Sequence, residues 1–310
     1  MKNKNKILVL TLSAFLLSAY ASAYTIDGNL NDWGVTPFTD WIPNTETVDW
    51  VVEDNIDPTR TGDPAYPDWT GYYATGIHIQ GTGSSSQSQY IEPLLYRSDW
   101  WTKSRGTDHY LSPAGGEHYD IEAMYFDDDS HNAYFAIVTS MGPEGYDGCY
   151  PGDLALDLDR DPSGSYEYGI VLIAHDNLVQ GQICYEPTWS SPTDFPDSGP
   201  VKIASCDTKE GIAEVAYKDA GITDKDLGNT HYGEKDVKNW VIEIRAPKTA
   251  LGEPLYHQIS NLHATITCGN DIIELLEYKW DFSVPEFVSG FVAFLIVLVT
   301  PGFAYLISKK

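Results

Sequence analysis

Positive charge is scarce in this chain. Its 310 residues hold 19 Lys and Arg against 45 Asp and Glu, a formal net charge of −26. Proteins that grip nucleic acid neutralise phosphates with Lys and Arg, so this balance excludes a nucleic-acid partner. It also repels anionic membrane surfaces, while favouring solubility and attracting cations. Two readings of the acidity stand side by side: a solvated surface suited to a saline medium, and specific divalent-cation sites.

Other absences narrow the chemistry. There is no Asn-x-Ser/Thr acceptor, so N-glycosylation is closed to the chain. No Gly-x-Gly-x-x-Gly turn, His-Glu-x-x-His pair or Gly-x-Ser-x-Gly elbow occurs. With them go the usual signatures of nucleotide, zinc-protease and serine-hydrolase chemistry. Neither Cys-x-x-Cys nor Cys-x-x-Cys-His is present, and Met124 and Met141 are the only methionines after the first residue. Haem and nucleotide cofactors are therefore not expected, and zinc lacks its common ligand spacing. No catalytic residue is assigned; Glu117-His118-x-Asp120 is at most a loose ligand set. Hydrolysis by paired carboxylates stays open as an alternative, because Asp and Glu are plentiful.

The two ends are informative. Lys2, Lys4 and Lys6 precede the mostly apolar stretch Ile7 to Tyr20, and Ala21-Ser22-Ala23 has the small-residue pattern of a cleavage site. Residues 1–23 thus read as a secretory signal peptide cut before Tyr24. At the other end no residue from Phe287 to Ser308 is charged, and Lys309-Lys310 follows. Such a run spans a hydrocarbon core of about 30 Å as a helix, and the terminal lysines point to the cytoplasmic side. Residues 24–283 then form an extracellular domain. Five basic residues and one acidic residue lie in the terminal segments, which leaves 14 basic and 44 acidic residues, a net of −30, for that domain.

Pro285-Glu286-Phe287, the apolar run and the basic end are together similar to the PEF-type C-terminal sorting signal of archaeal surface proteins. The resemblance covers residues 284–310. It implies processing by an archaeosortase near the tripeptide, removal of the span and transfer of the protein to a lipid. A retained single-span anchor is the alternative.

Between the ends, abundant Tyr, Trp, Gly and Pro with short alternating segments predict an all-β fold. The expectation is an antiparallel β-sandwich of jelly-roll type with long loops, plus one C-terminal transmembrane helix. Hairpins are expected where Tyr119–Phe126 and Ala133–Thr139 flank Asp127 to Asn132, and where a strand around Leu154, Leu156 and Leu158 returns through Tyr166–Ala174. Further strands are expected over 178–186, 201–206, 211–217, 239–245, 262–268 and 272–280, with a short helix near Pro247–Leu251. The opening Ile26-Asp27-Gly28-Asn29-Leu30-Asn31-Asp32-Trp33 resembles the start of the sandwich superfamily that includes family 9 carbohydrate-binding modules and DOMON-type domains. Asp27, Asp32 and Trp33 carry the match, and Trp33 on this reading plugs the core.

Three groups of residues are singled out. Residues 34–116 are rich in aromatics, and Trp100 and Trp101 are glycan-binding candidates, because aromatic rings stack on the apolar faces of sugars. Alternation puts Asp153, Asp157, Asp159 and Asp161 on the strand face opposite Leu154, Leu156 and Leu158. Same-face carboxylates two residues apart sit about 6.6 Å from each other, a spacing Ca²⁺ could bridge with oxygen ligands. Asp127, Asp128, Asp129, Asp157, Asp159, Asp161 and Glu167 are the calcium candidates; Gly164 and Glu167 fall at the wrong positions for an EF-hand loop. Cys149, Cys184, Cys206 and Cys268 suit two disulfides in an exported protein. Of three pairings, Cys149–Cys184 with Cys206–Cys268 is the expectation.

The function expected is that of a non-enzymatic protein anchored at the cell surface, in envelope structure, adhesion or glycan contact, and stabilised by calcium. Its partners would be the membrane or a lipid, an archaeosortase, and glycans or envelope proteins. A carbohydrate-binding module proper and an extracellular hydrolase are the alternatives.

Overall fold

Apolar residues that alternate between Asp, Asn, Gly and Pro breaks build antiparallel sheet. The computed structural model describes residues 24–35, 41–54, 57–61, 72–73, 77–83, 85–91, 117–160, 165–193, 199–223, 237–269 and 271–282. Among them there is no α-helix, only 3-10 turns at Leu30–Trp33, Glu117–Tyr119 and Lys248–Leu251. No helix among them is long and apolar enough to cross a membrane. The expected signal peptide (1–23), the segment 284–310 with Pro285, Glu286 and Phe287, and Asp161, Trp100 and Trp101 all lie outside the described residues.

The strands in chain order begin with β1 (Asp49–Asp54), β2 (Asp57–Thr61), β3 (Tyr72–Tyr73), β4 (Ile77–Thr82) and β5 (Ser85–Ile91). The two hairpins expected from the sequence follow, β6 (Ile121–Asp128) with β7 (Asn132–Thr139) and β8 (Leu154–Asp157) with β9 (Tyr168–Ile170). Next come β10 (Gln182–Tyr185), β11 (Thr188–Ser190), β12 (Lys202–Ser205), β13 (Thr208–Ile212) and β14 (Glu214–Thr223). The series closes with β15 (Lys238–Pro247), β16 (Ile259–Thr265) and β17 (Ile272–Lys279). A seven-stranded sheet has the order β14-β15-β7-β6-β1-β4-β5 and a six-stranded sheet the order β13-β10-β9-β8-β16-β17. β2–β3 and β11–β12 form two-stranded ribbons, and the pairings are antiparallel.

Both large sheets contribute to one apolar cluster. Met124, Phe126, Phe135, Ile137, Ile242 and Ile244 come from the first, and Leu154, Leu156, Ile170, Ile183, Leu262, Ile273 and Leu275 from the second. Each such side chain contributes about 1.5–3 kcal/mol on leaving water. Both faces of the central strands are covered. All eight residues of β6 and all four of β8 are buried. The ribbon β11–β12 covers the second sheet, since a Cβ on Gly169 would meet Trp189 and Ile203. The segment ahead of β1 covers the first sheet, with Trp33 6.2 Å from the ring of Tyr125.

The opening motif now has a physical cause. The Glu243 carboxylate accepts the backbone N–H groups of Asp27, Gly28 and Asn29 at 2.9, 2.6 and 3.1 Å, and the Trp33 indole N–H at 2.9 Å. Gly28 turns at φ 77°, where its Cβ would strike Lys218. Trp33 is fully buried, as expected of a core plug.

The expected cysteine pairing is also corrected: the bonds are Cys149–Cys268 and Cys184–Cys206. Cys149 reaches Cys268 because its neighbour runs beside the end of β16, with the Thr267 N–H on the Tyr150 carbonyl at 2.9 Å and a bridge from Pro151 to Ile266. Cys184 on β10 belongs to the small cluster with Val171 and Ile203 beneath the ribbon, and Cys206 directly follows β12.

β17 is an edge strand of its sheet, yet side chains from the other sheet hold its backbone. Gln80 accepts the Leu276 N–H at 3.0 Å and donates to its carbonyl. Asp49 accepts the Lys279 N–H at 2.8 Å. Asp128 accepts the N–H groups of Asp281 and Phe282 at 3.2 and 3.1 Å. An edge otherwise open to pairing with another chain is thereby covered.

Candidate functional site

The expected calcium ligands separate into two groups and one turn. Asp129 belongs to the β6–β7 turn, where it accepts the N–H groups of His131 and Asn132, both at 2.7 Å, and the Tyr134 hydroxyl at 2.6 Å. Burial alone would raise its pKa, but these donors outweigh it and hold the carboxyl below its ordinary value. Asp129 closes the hairpin, as an Asx residue does in many tight turns.

Asp127 and Asp128 gather with Asp281, their oxygens within 4.8 Å of one another. Asp281 is 153 residues further along the chain, which is why sequence reasoning missed it. A cation already sits here: Lys248 Nζ pairs with Asp128, and both side chains are buried. The ammonium also lies 3.6 Å from the centre of the Phe282 ring and 5.5 Å from that of Trp280. Burial pushes the Asp128 carboxyl up to about 7 against the pull of Lys248, and burial pushes Lys248 down. Nearby, Asp49 is raised to about 6 by burial, despite the Thr82 hydroxyl at 2.5 Å and the Lys279 N–H.

Asp157, Asp159 and Glu167 form the second triad, again within 4.8 Å. The β8–β9 hairpin brings them together from either side of its loop. Asp157 accepts the Arg160 N–H at 2.7 Å and the Asn261 amide at 3.0 Å. Glu167 accepts the Leu158 N–H at 2.8 Å and the Ser165 hydroxyl at 3.1 Å. The Arg160 guanidinium turns to Glu277 at 2.8 Å. Burial raises Asp157 and Glu167, and the charge on Asp159 adds to both shifts. Every donor in the triad is a hard carboxylate oxygen with spare lone pairs, a set that fits Ca²⁺. Asp153, expected on the same face, is instead a structural knot: it accepts the N–H groups of Leu172 and Ile203 at 3.1 and 2.8 Å and meets His175 Nε2 at 2.9 Å.

Glu167 also borders an open groove of about 760 Å³ beneath β11. Tyr166 and Trp189, both half-buried, supply its aromatic surface, and Glu186 and Ser191 lie on its exposed rim. Sequence reasoning assigned no strand to 188–190 and passed over Trp189; the isolated Pro-Thr-Trp-Ser after a cysteine strand was the available signal.

Comparison of the chain with protein-family models, curated proteins and solved structures finds no match. The site therefore rests on its own geometry.

Proposed function

We propose that this chain is an exported protein held at the outer face of the cell membrane through its C-terminal segment, with a disulfide-stapled β-sandwich as its working body. It acts by contact with envelope components or glycans and not by turning over a substrate. The observation that carries this reading is the pair of disulfides, which leaves no free cysteine. Such bonds persist in oxidising, extracytoplasmic compartments. The sandwich reading is supported by two antiparallel sheets that share one apolar cluster. The signal-like residues 1–23 and the run Phe287–Ser308 supply the export and anchoring parts, and Pro285-Glu286-Phe287 supplies processing by an archaeosortase.

Calcium belongs to the same proposal. Asp157, Asp159 and Glu167 are the ligands, because three carboxylates converge there with their oxygens within 4.8 Å of one another, whereas Asp128 is already paired with Lys248.

Mass spectrometry of the protein from its native membrane tests the reading. The expected species begins at Tyr24, keeps both disulfides, and ends near Pro285 with a lipid. An intact C-terminus at Lys310 would replace sorting by a plain anchor. Reduced cysteines in a cytoplasmic fraction would sink the proposal.

A further inference from the structure

The groove beside β11 has a fixed aromatic floor. The Trp189 indole N–H donates to the Tyr166 carbonyl at 3.2 Å. Its six-membered ring rests on Gly169, where a Cβ would come within 2.7 Å. Glycine at that strand position clears the seat for the ring. Tyr166 is held from behind: its ring lies 5.3 Å from that of the buried His263, and its hydroxyl lies 3.5 Å from Glu274. His263 is itself fixed between Glu274 at 3.0 Å and the Pro200 carbonyl at 3.1 Å. Two rings are thus set in place before any ligand arrives, which lowers the ordering cost of binding.

Acceptors flank the rings. Glu186 sits in the left-handed region at φ 46°, uncommon for a residue with a side chain, and its N–H donates to the Glu167 carbonyl at 2.6 Å. The carboxylates of Glu186 and Glu167 both border the groove, and among the described residues that line it there is no Lys, Arg or His. A phosphorylated, sulfated or uronic ligand would meet these carboxylates with no counter-charge. A wholly apolar ligand would strip them of water without replacing its hydrogen bonds. A neutral sugar satisfies both constraints, because its C–H face packs on an aromatic ring while its hydroxyls donate to carboxylates. The groove volume of about 760 Å³ also lies in the usual range for small-ligand sites.

We propose that the groove formed by Tyr166, Trp189, Glu167 and Glu186 binds a neutral saccharide, with Trp189 as the stacking platform and the two glutamates as hydroxyl acceptors. The inference deepens the glycan-contact part of the function proposed above and does not depend on how the protein is anchored.

The test uses the full-length protein in a zwitterionic detergent without a sugar headgroup, with and without calcium. The probes are hexasaccharides of glucose, mannose, xylose and N-acetylglucosamine, with polygalacturonate as the anionic comparison, followed by tryptophan fluorescence and calorimetry. At least one neutral hexasaccharide is expected to bind with Kd below about 1 mM. Trp189→Ala and Glu186→Gln should each weaken it at least about tenfold, the equivalent of about 1.4 kcal/mol. Ser191→Trp, a change at an exposed position that fills the groove, should block binding with the melting temperature unchanged, which separates lost binding from lost folding. The inference is overturned if no neutral probe binds, if polygalacturonate binds better, or if Ser191→Trp binds normally. Cleavage of a bound hexasaccharide would keep the groove and overturn only the non-enzymatic part of the proposed function.

Discussion

At the end of β6, Asp127, Asp128 and Asp281 surround a buried lysine; at the end of β8, Asp157, Asp159 and Glu167 surround backbone N–H groups, an amide and a hydroxyl. The first triad carries its counter-charge inside the fold. Lys248 is roofed by Trp280 and Phe282, so solvent has little part in the balance. The second triad is half open, with Asp159 exposed to solvent. A lysine is permanent and fixes structure, whereas an open oxygen cluster makes stability depend on the medium.

The largest effect is expected from breaking the internal pair. Lys248→Met should cost about 3–5 kcal/mol in denaturant unfolding at pH 8, because it leaves Asp128 buried without its partner. Lys248→Met combined with Asp128→Asn should recover at least half of that loss. A double variant as unstable as the single one would show that the lysine matters for packing alone.

The next effect concerns pH. Asp49 and Asp128 are raised to about 6 and about 7, above their unfolded values. Their contribution is therefore complete below the unfolded pKa and is lost as pH rises through the folded one. The protein should be more stable at pH 5 than at pH 8. Asp49→Asn should remove about 1.4 kcal/mol of that fall, because only about one pH unit of the titration toward its folded value of about 6 lies above pH 5. Chemical unfolding that shows stability rising across this window would contradict the assigned shifts.

Calcium should separate the triads directly. At a hundredfold excess over Kd it stabilises a protein by about 2.7 kcal/mol, seen as a rise in melting temperature. Asp157→Asn and Asp159→Asn should abolish the rise, and Asp281→Asn should leave it intact. An unchanged melting temperature in millimolar calcium sinks the calcium proposal. The smallest effect is expected from Arg160→Gln. Its pair with Glu277 is solvent-exposed on both sides, so its loss should cost less than about 1 kcal/mol.

What was legible in the sequence was local. Asp129, its turn and the strands on either side were readable because alternation and turn chemistry act over a few residues; the structure places β6 and β7 within about two residues of that expectation. The strand over 239–245 and the short helix near Pro247–Leu251 were visible for the same reason, the latter as the 3-10 helix Lys248–Leu251. What was hidden depends on distant pairs. Glu243 meets Asp27 across 216 positions, and Asp128 meets Phe282 across 154. Cysteine spacing alone could not reveal that Tyr150 runs beside Thr267 and so brings Cys149 to Cys268. Of the ribbon that covers β8, the strand expected over 201–206 is β12, whereas the three-residue β11 is too short to show a strand pattern.

The hold on β17 has a mechanical consequence. Tension entering from the C-terminal side meets Phe282 first, where Asp128 grips the backbone and the Lys248 ammonium lies over the ring. Peeling the final strand would require this buried ion pair to open before the β16–β17 ladder takes load. Asp49 and Gln80 stand as second and third catches along the same strand. Under pull the chain would thus yield stepwise, with the charged clamp and not the sheet setting the first threshold.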